Sequence, residues 1–216
     1  MKKYIVYSIF IFLLNFLVVG CIDEYKSSIK APFVKEDTYS RKIEIDKAKK
    51  LKIESIISDI DIKQTNTDEL IFKIDKKIGG NNEEKVNEFL SKFDYKVSEK
   101  NGIITIISND KGLFDKEGKI IDDDITSINS HCIIEVPKKI NEIDILNRIG
   151  QIGIMGKFNK VNIENRIGDV KLEGDYGTVN IKLDIGDISI NGDVDKHKLN
   201  NNVGEIKVNG IKINKE

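Results

Sequence analysis

The feature that most constrains this chain is an internal repeat of 18 residues. Four segments align without a gap: Ile149-Gly150-Gln151-Ile152-Gly153-Ile154-Met155-Gly156, Ile167-Gly168-Asp169-Val170-Lys171-Leu172-Glu173-Gly174, Ile185-Gly186-Asp187-Ile188-Ser189-Ile190-Asn191-Gly192 and Val203-Gly204-Glu205-Ile206-Lys207-Val208-Asn209-Gly210. The stretches between them fall on the same grid, as Ile143/Ile145, Val161/Ile163, Val179/Ile181 and His197/Leu199. Each unit therefore carries two short runs that alternate apolar and polar residues, rich in β-branched side chains, which is the period of a strand rather than a helix. A unit this short cannot bury its apolar face alone, but stacked on its neighbours it can. Parallel stacking places Ile149, Ile167, Ile185 and Val203 in one column and Ile152, Val170, Ile188 and Ile206 in another, about 4.8 Å apart along each column. The expected fold is all-β: a single-stranded parallel β-helix, or β-solenoid, with 18-residue coils. Gly150, Gly168, Gly186 and Gly204 recur at its turns, where positive φ and close backbone approach favour glycine.

One earlier segment fits the grid: Leu51, Ile53, Ile57, Ser58, Asp59, Ile60 and Ile62, with Ser58 in the place of glycine. The solenoid is expected over residues 41–216, interrupted at about 79–124. Within the interruption, Val86, Phe89, Leu90 and Phe93 lie at helical spacing, and Asn81 with Glu84 has the form of a capping box. These residues predict one amphipathic helix over 82–95, a lid on the core, with a partner-binding groove helix as the alternative. Residues 109–124 read as an exposed loop whose Asp115, Glu117 and Asp122 to Asp124 form a solvated acidic surface or, alternatively, a metal site. At the far end, His197 replaces an aliphatic residue and lysines crowd the last strands, as in the charged terminal coils that blunt a sheet edge.

Residues 1–20 form a separate unit. Lys2 and Lys3 precede an apolar run from Tyr4 to Val19, shorter than the ~20 residues that span a bilayer comfortably, which reads as a secretory signal. Leu17-Val18-Val19-Gly20-Cys21 resembles the lipobox of bacterial lipoproteins. The resemblance implies cleavage after Gly20 and acylation of Cys21, making membrane lipid the partner of the N-terminus. An uncleaved N-terminal helix is the alternative, and both place the body outside the cytoplasm. Residues 21–40 lack either period and read as a lipid-anchored tether with a reach of about 25 Å.

Charge and side-chain inventory narrow the chemistry. The chain has 35 basic and 36 acidic residues, and removing residues 1–20 leaves 33 against 36, so no basic face for nucleic acid is expected. With Cys21 acylated, Cys132 has no disulfide partner. Cys132 shares a strand face with Ile134 and Val136 and reads as a buried small residue, while His131 projects to the opposite face, so the two cannot form a dyad. Gln151, Asp169, Asp187 and Glu205 stack on one edge; turn chemistry accounts for them, and a calcium-binding edge is the alternative. Phe158 and Tyr176 share a column and read as packing residues. No catalytic set, metal site or cofactor is assigned. The outward repeat positions mix Lys, Asn, Glu and Ser without convergence, unlike the clustered acids of a polysaccharide-active enzyme.

The I-G-D-V-x-L-x-G units resemble the putative-adhesin domain family of bacterial envelope proteins, which carry G-D-I-x-I-x-G repeats on a single-stranded β-helix. The lead-in from Ser130 through Glu135-Val136-Pro137-Lys138 is similar as well. The resemblance spans about 41–216, is strongest over 131–213, and implies a non-catalytic envelope surface lipoprotein that acts as a binding or adhesin-like scaffold. An envelope-stress sensing or regulatory lipoprotein is the alternative. The residues bring forward no envelope partner by name.

Overall fold

A computed structural model describes residues 31–109, 112–115 and 119–213. The signal segment, Gly20 and Cys21 lie outside the described residues, as do Glu117 and the first part of the tether. The elements run in the order β1 (Phe33–Glu44), β2 (Lys50–Glu54), β3 (Asp59–Thr65), β4 (Glu69–Gly80), α1 (Glu83–Lys92), β5 (Asp94–Lys100), β6 (Ile103–Asn109) and β7 (Ile125–Pro137). Then follow β8 (Glu142–Leu146), β9 (Ile152–Ile167), β10 (Val170–Ile185), β11 (Ile188–Asn191), β12 (Val194–Val203), β13 (Ile206–Val208) and β14 (Ile211–Lys212).

The fold is all-β, but the expected single-stranded parallel β-helix is not what forms. The strands make one mixed sheet curled into a half-barrel. Along its main path β1, β4 and β7 pair antiparallel, β7, β3, β9, β10, β11 and β13 pair parallel, and β14 turns back antiparallel on β13. A second run, also parallel, orders β6, β2, β8, β9, β10 and β12, with β5 antiparallel at its edge. The 16-residue strands β9 and β10 belong to both runs and join them into one surface. The reason lies in the first half of the chain. Residues 31–137 carry no sustained 18-residue repeat; their long strands pair as antiparallel ladders, and β7 enters between β3 and β4.

The 18-residue offset itself governs the parallel part. Val170 lies opposite Ile152 on one side and Ile188 on the other, and Ile206 continues the column. All are buried, as is Ile60 of β3, which pairs with Ile152. The other column was expected in the core and is instead on the outside: Ile167, Ile185 and Val203 are in register but 39%, 48% and 58% exposed. Alternation from Ile163 and Asn165 would put Ile167 inside. Alternation breaks after Arg166, and Ile167 faces out where the chain turns at Gly168, whose φ is +126°. A Cβ at Gly168 would sit 2.2 Å from the Gly150 carbonyl oxygen, so glycine is needed for space as well as for φ. Gly150, Gly186 and Gly204 share the positive φ.

Three further expectations are corrected. Residues 33–40, read as tether, begin β1 and pair with the end of β4. The helix is capped by Asn82 rather than Asn81: the Asn82 side chain accepts the Lys85 backbone N–H at 3.2 Å. The loop after β6 is not wholly exposed. Leu113 and Phe114 are buried, and Phe114 packs edge-on against Phe89 and Phe93 of the helix stripe. That aromatic cluster extends through Tyr95 to Phe72 and Tyr39. Lys76, buried on β4, fixes the helix end: its ammonium donates to the carbonyls of Phe93 at 2.9 Å and Leu90 at 3.4 Å and pairs with Asp37 at 3.0 Å.

Candidate binding trough

The outer side of the parallel run β6-β2-β8-β9-β10-β12 carries a concavity. It consists of two adjoining hollows of about 440 Å³ each that share Leu146, Glu164 and Lys182. Strand alternation builds its walls. In each coil the aliphatic residues Ile145, Ile163 and Ile181 point inward, so their neighbours on either side point out. Parallel pairing in register then stacks these neighbours into columns.

The first column runs Lys52, Asp144, Asn162, Asn180 and Lys198 across five strands. Asn162 donates its amide N–H to Asp144 Oδ1 at 2.6 Å, and Asn180 donates to Asn162 Oδ1 at 2.8 Å. The second runs Ile107, Glu54, Leu146, Glu164, Lys182 and Asn200. Lys182 bonds Glu164 at 2.9 Å, one coil away. Glu164 thereby holds the Lys182 ammonium above the usual lysine range, and Glu54 does the same for Lys52. Lys50 pairs with Asp144. The charges of the walls are thus largely matched within the protein.

One residue further along each strand lies a buried polar column that sequence reasoning missed. Asn165, Leu183 and Asn201 are cross-strand neighbours, with Asn147 one repeat earlier. Ser55 and Ser108, also buried, line the same hollow as Asn147 and Asn165. The asparagines donate to turn carbonyls of the repeat: Asn147 to Ser58, Asn165 to Gly150 and Gly168, Asn201 to Gly186. Their recurrence at 147, 165 and 201 was the available signal.

The other singled-out residues have structural partners. The Asp59, Asp169 and Asp187 carboxylates each accept the backbone N–H of the residue one coil on, Gln151, Asp187 and Glu205, at 2.8 Å. Asp115 and Asp122 likewise accept local backbone N–H groups. Among the described residues no three His, Cys, Asp or Glu side chains are grouped to hold a metal ion. Cys132 is buried on β7 beside β3, where Ser58 Oγ donates to its sulfur at 3.2 Å; burial pushes the thiol up to about 11. His131 faces the other way and bonds Asp61 at 2.8 Å. Phe158 and Tyr176 stack in the core, with Tyr176 donating to the Ile154 carbonyl. Among the described residues no helix is long and apolar enough to cross a membrane.

No protein-family model and no curated protein matches the chain. Solved structures do. A "putative cell adhesion protein" from Clostridium sporogenes ATCC 15579 superposes with a TM-score of 0.57 at 14% identity, covering 81% of this chain and 99% of that one. A "putative lipid binding protein" from Parabacteroides distasonis ATCC 8503 gives 0.37 at 12% identity over 80% and 73% of the two chains. A "putative adhesin" from Bacteroides fragilis NCTC 9343 gives 0.28 at 11% identity over 80% and 97%. The first likeness shows a shared fold and nothing beyond it, and the other two are too weak to argue from.

Proposed function

We propose that this chain is a non-catalytic bacterial envelope protein, held at the membrane through acylated Cys21, whose folded part is a binding scaffold of the adhesin type. The observation that carries this reading is the trough. Its polar side chains are tied to one another along columns instead of converging on one point, so they present a long, preorganised surface. Such a surface suits an extended partner and lowers the ordering cost of binding. The "putative cell adhesion protein" of Clostridium sporogenes, which shares the fold, supports this role.

Intact cells producing the protein or its Cys21→Ser variant test the display. The reading expects antibody labelling of intact cells, with the parent in the membrane fraction and C21S released. A protein sealed in the cytoplasm would overturn it. Binding is tested by adsorption of the purified full chain to isolated envelope fragments. Asn180→Trp, which fills the trough, should abolish retention; equal retention of both proteins would remove the trough from the account.

A further inference from the structure

Granting that the trough is the binding surface, we infer that its ligand is an uncharged, polyhydroxylated chain, a neutral glycan, lying across the strands with about one sugar unit per strand. The trough crosses six strands, β6 to β12 in the order above. At ~4.8 Å between neighbours it extends about 24 Å. That step is close to the length of one pyranose unit in an extended chain. It matches poorly to an extended peptide, which advances about 3.3 Å per residue.

The chemistry of the walls points the same way. Asn162 uses one amide N–H on Asp144 and accepts one from Asn180, which leaves it a second N–H and a second lone pair. A hydroxyl group donates and accepts at once, and is the natural complement of such an amide. The wall carboxylates Asp144, Glu54 and Glu164 are matched by Lys50, Lys52 and Lys182, so a polycation would have to displace existing pairs. Arg148 and Arg166 line the first hollow and Lys198 the second, but they are interleaved with the acids Glu54, Glu164, Asp184 and Asp144 and do not form the all-basic stripe a polyanion requires. Aliphatic groups line both hollows, Ile107 and Leu146 in the first and Ile145, Ile163 and Ile181 in the second, but polar columns run beside them, and an acyl chain would leave those groups without partners. Among the described residues the lining holds no aromatic side chain, so recognition rests on hydrogen bonds and gains strength with the number of units engaged.

Binding of a graded series of cello-oligosaccharides to the purified full chain, by calorimetry, tests this. Affinity should rise with length and level off at about six units. Asn180→Leu should weaken binding about tenfold. Lys182→Ala, a change at an exposed side chain, should weaken it measurably without altering the thermal midpoint, which keeps the test valid if N180L folds poorly. Polygalacturonate should bind less well than the neutral series. No binding of the neutral series, binding indifferent to both variants, or tighter binding of the polyanion would overturn the inference. Retention on envelope fragments that depends on the trough, without glycan binding, would leave the scaffold reading standing and sink this one.

Discussion

Gly168 approaches Gly150 of the preceding coil so closely that a methyl group on its α-carbon would lie 2.2 Å from the Gly150 carbonyl oxygen. The obstacle is backbone, which cannot swing aside as a side chain could. Gly168 also holds φ at +126°. Gly168→Ala should therefore cost about 3 kcal/mol, from strain and from parting the coils. Gly112, also at positive φ but with nothing among the described residues within 4 Å of an added Cβ, serves as the comparison; Gly112→Ala should cost about 1 kcal/mol. Urea midpoints of the two variants measure the difference.

Lys76 makes a second separable prediction. Its ammonium is buried, satisfies two carbonyls at the end of α1 and reaches Asp37 on β1. Lys76→Met keeps the stem and removes all three partners. The loss should be about 2 kcal/mol or more, since bonds to a charged donor are the strong ones. Amide exchange in α1 should quicken more than exchange in β9 and β10. Uniform quickening would mean the lysine does not act through the helix.

How much of this was legible follows from what a repeat encodes. A period of 18 fixes which residues share a column, and Ile152, Val170 and Ile188 do share one. It does not encode whether the columns close on themselves. Closure depends on the non-repeating strands, and β1, β4 and β7 pair antiparallel over long stretches that no local pattern announces. Nor does it encode the order of stacking. The segment around Ile60 fits the grid, yet it packs between β7 and β9, far from its place in the chain. The trough was hidden for a related reason. Asn162 and Asn180 look unconnected one coil at a time, and bond only when the coils are stacked.

His131 gives a pH dependence with a definite sign. Its imidazole bonds the Asp61 carboxylate, and Asp59 and Asp75 stand directly across from it on the two flanking strands. The Asp61 bond is the largest influence and raises the pKa above 6.5; partial burial opposes it, and Asp59 and Asp75 add to the rise. Lys73 bonds Asp75 on the same face, moderating the negative field there. A raised folded-state pKa stabilises the fold fully below the unfolded value and is lost as pH rises through the folded one. The urea midpoint should thus fall as pH is raised past 6.5, with the step reduced in Asp61→Asn. An identical pH profile in the variant would remove His131 from the account.

Asn165 tests the buried polar column against a comparison already present in the chain. Its amide donates to the carbonyls of Gly150 at 3.0 Å and Gly168 at 3.3 Å, while its Oδ1 is buried without a hydrogen-bond partner. One coil on, the same position is Leu183, which cannot donate to Gly168; Asn165 reaches across and does so. Asn165→Leu removes one orphaned acceptor but strips both turn carbonyls of this donor. Leaving buried carbonyls bare outweighs the relief, and the net loss should be about 1–3 kcal/mol. Asn201→Leu strips Gly186 in the same way near the chain's end, where Val203 and Asn202 are already exposed and water can replace the lost bond. Its cost should be smaller. Denaturation midpoints in that order support the column as a turn-bonding device; equal costs, or a gain for Asn165→Leu, would show that the orphaned oxygen dominates.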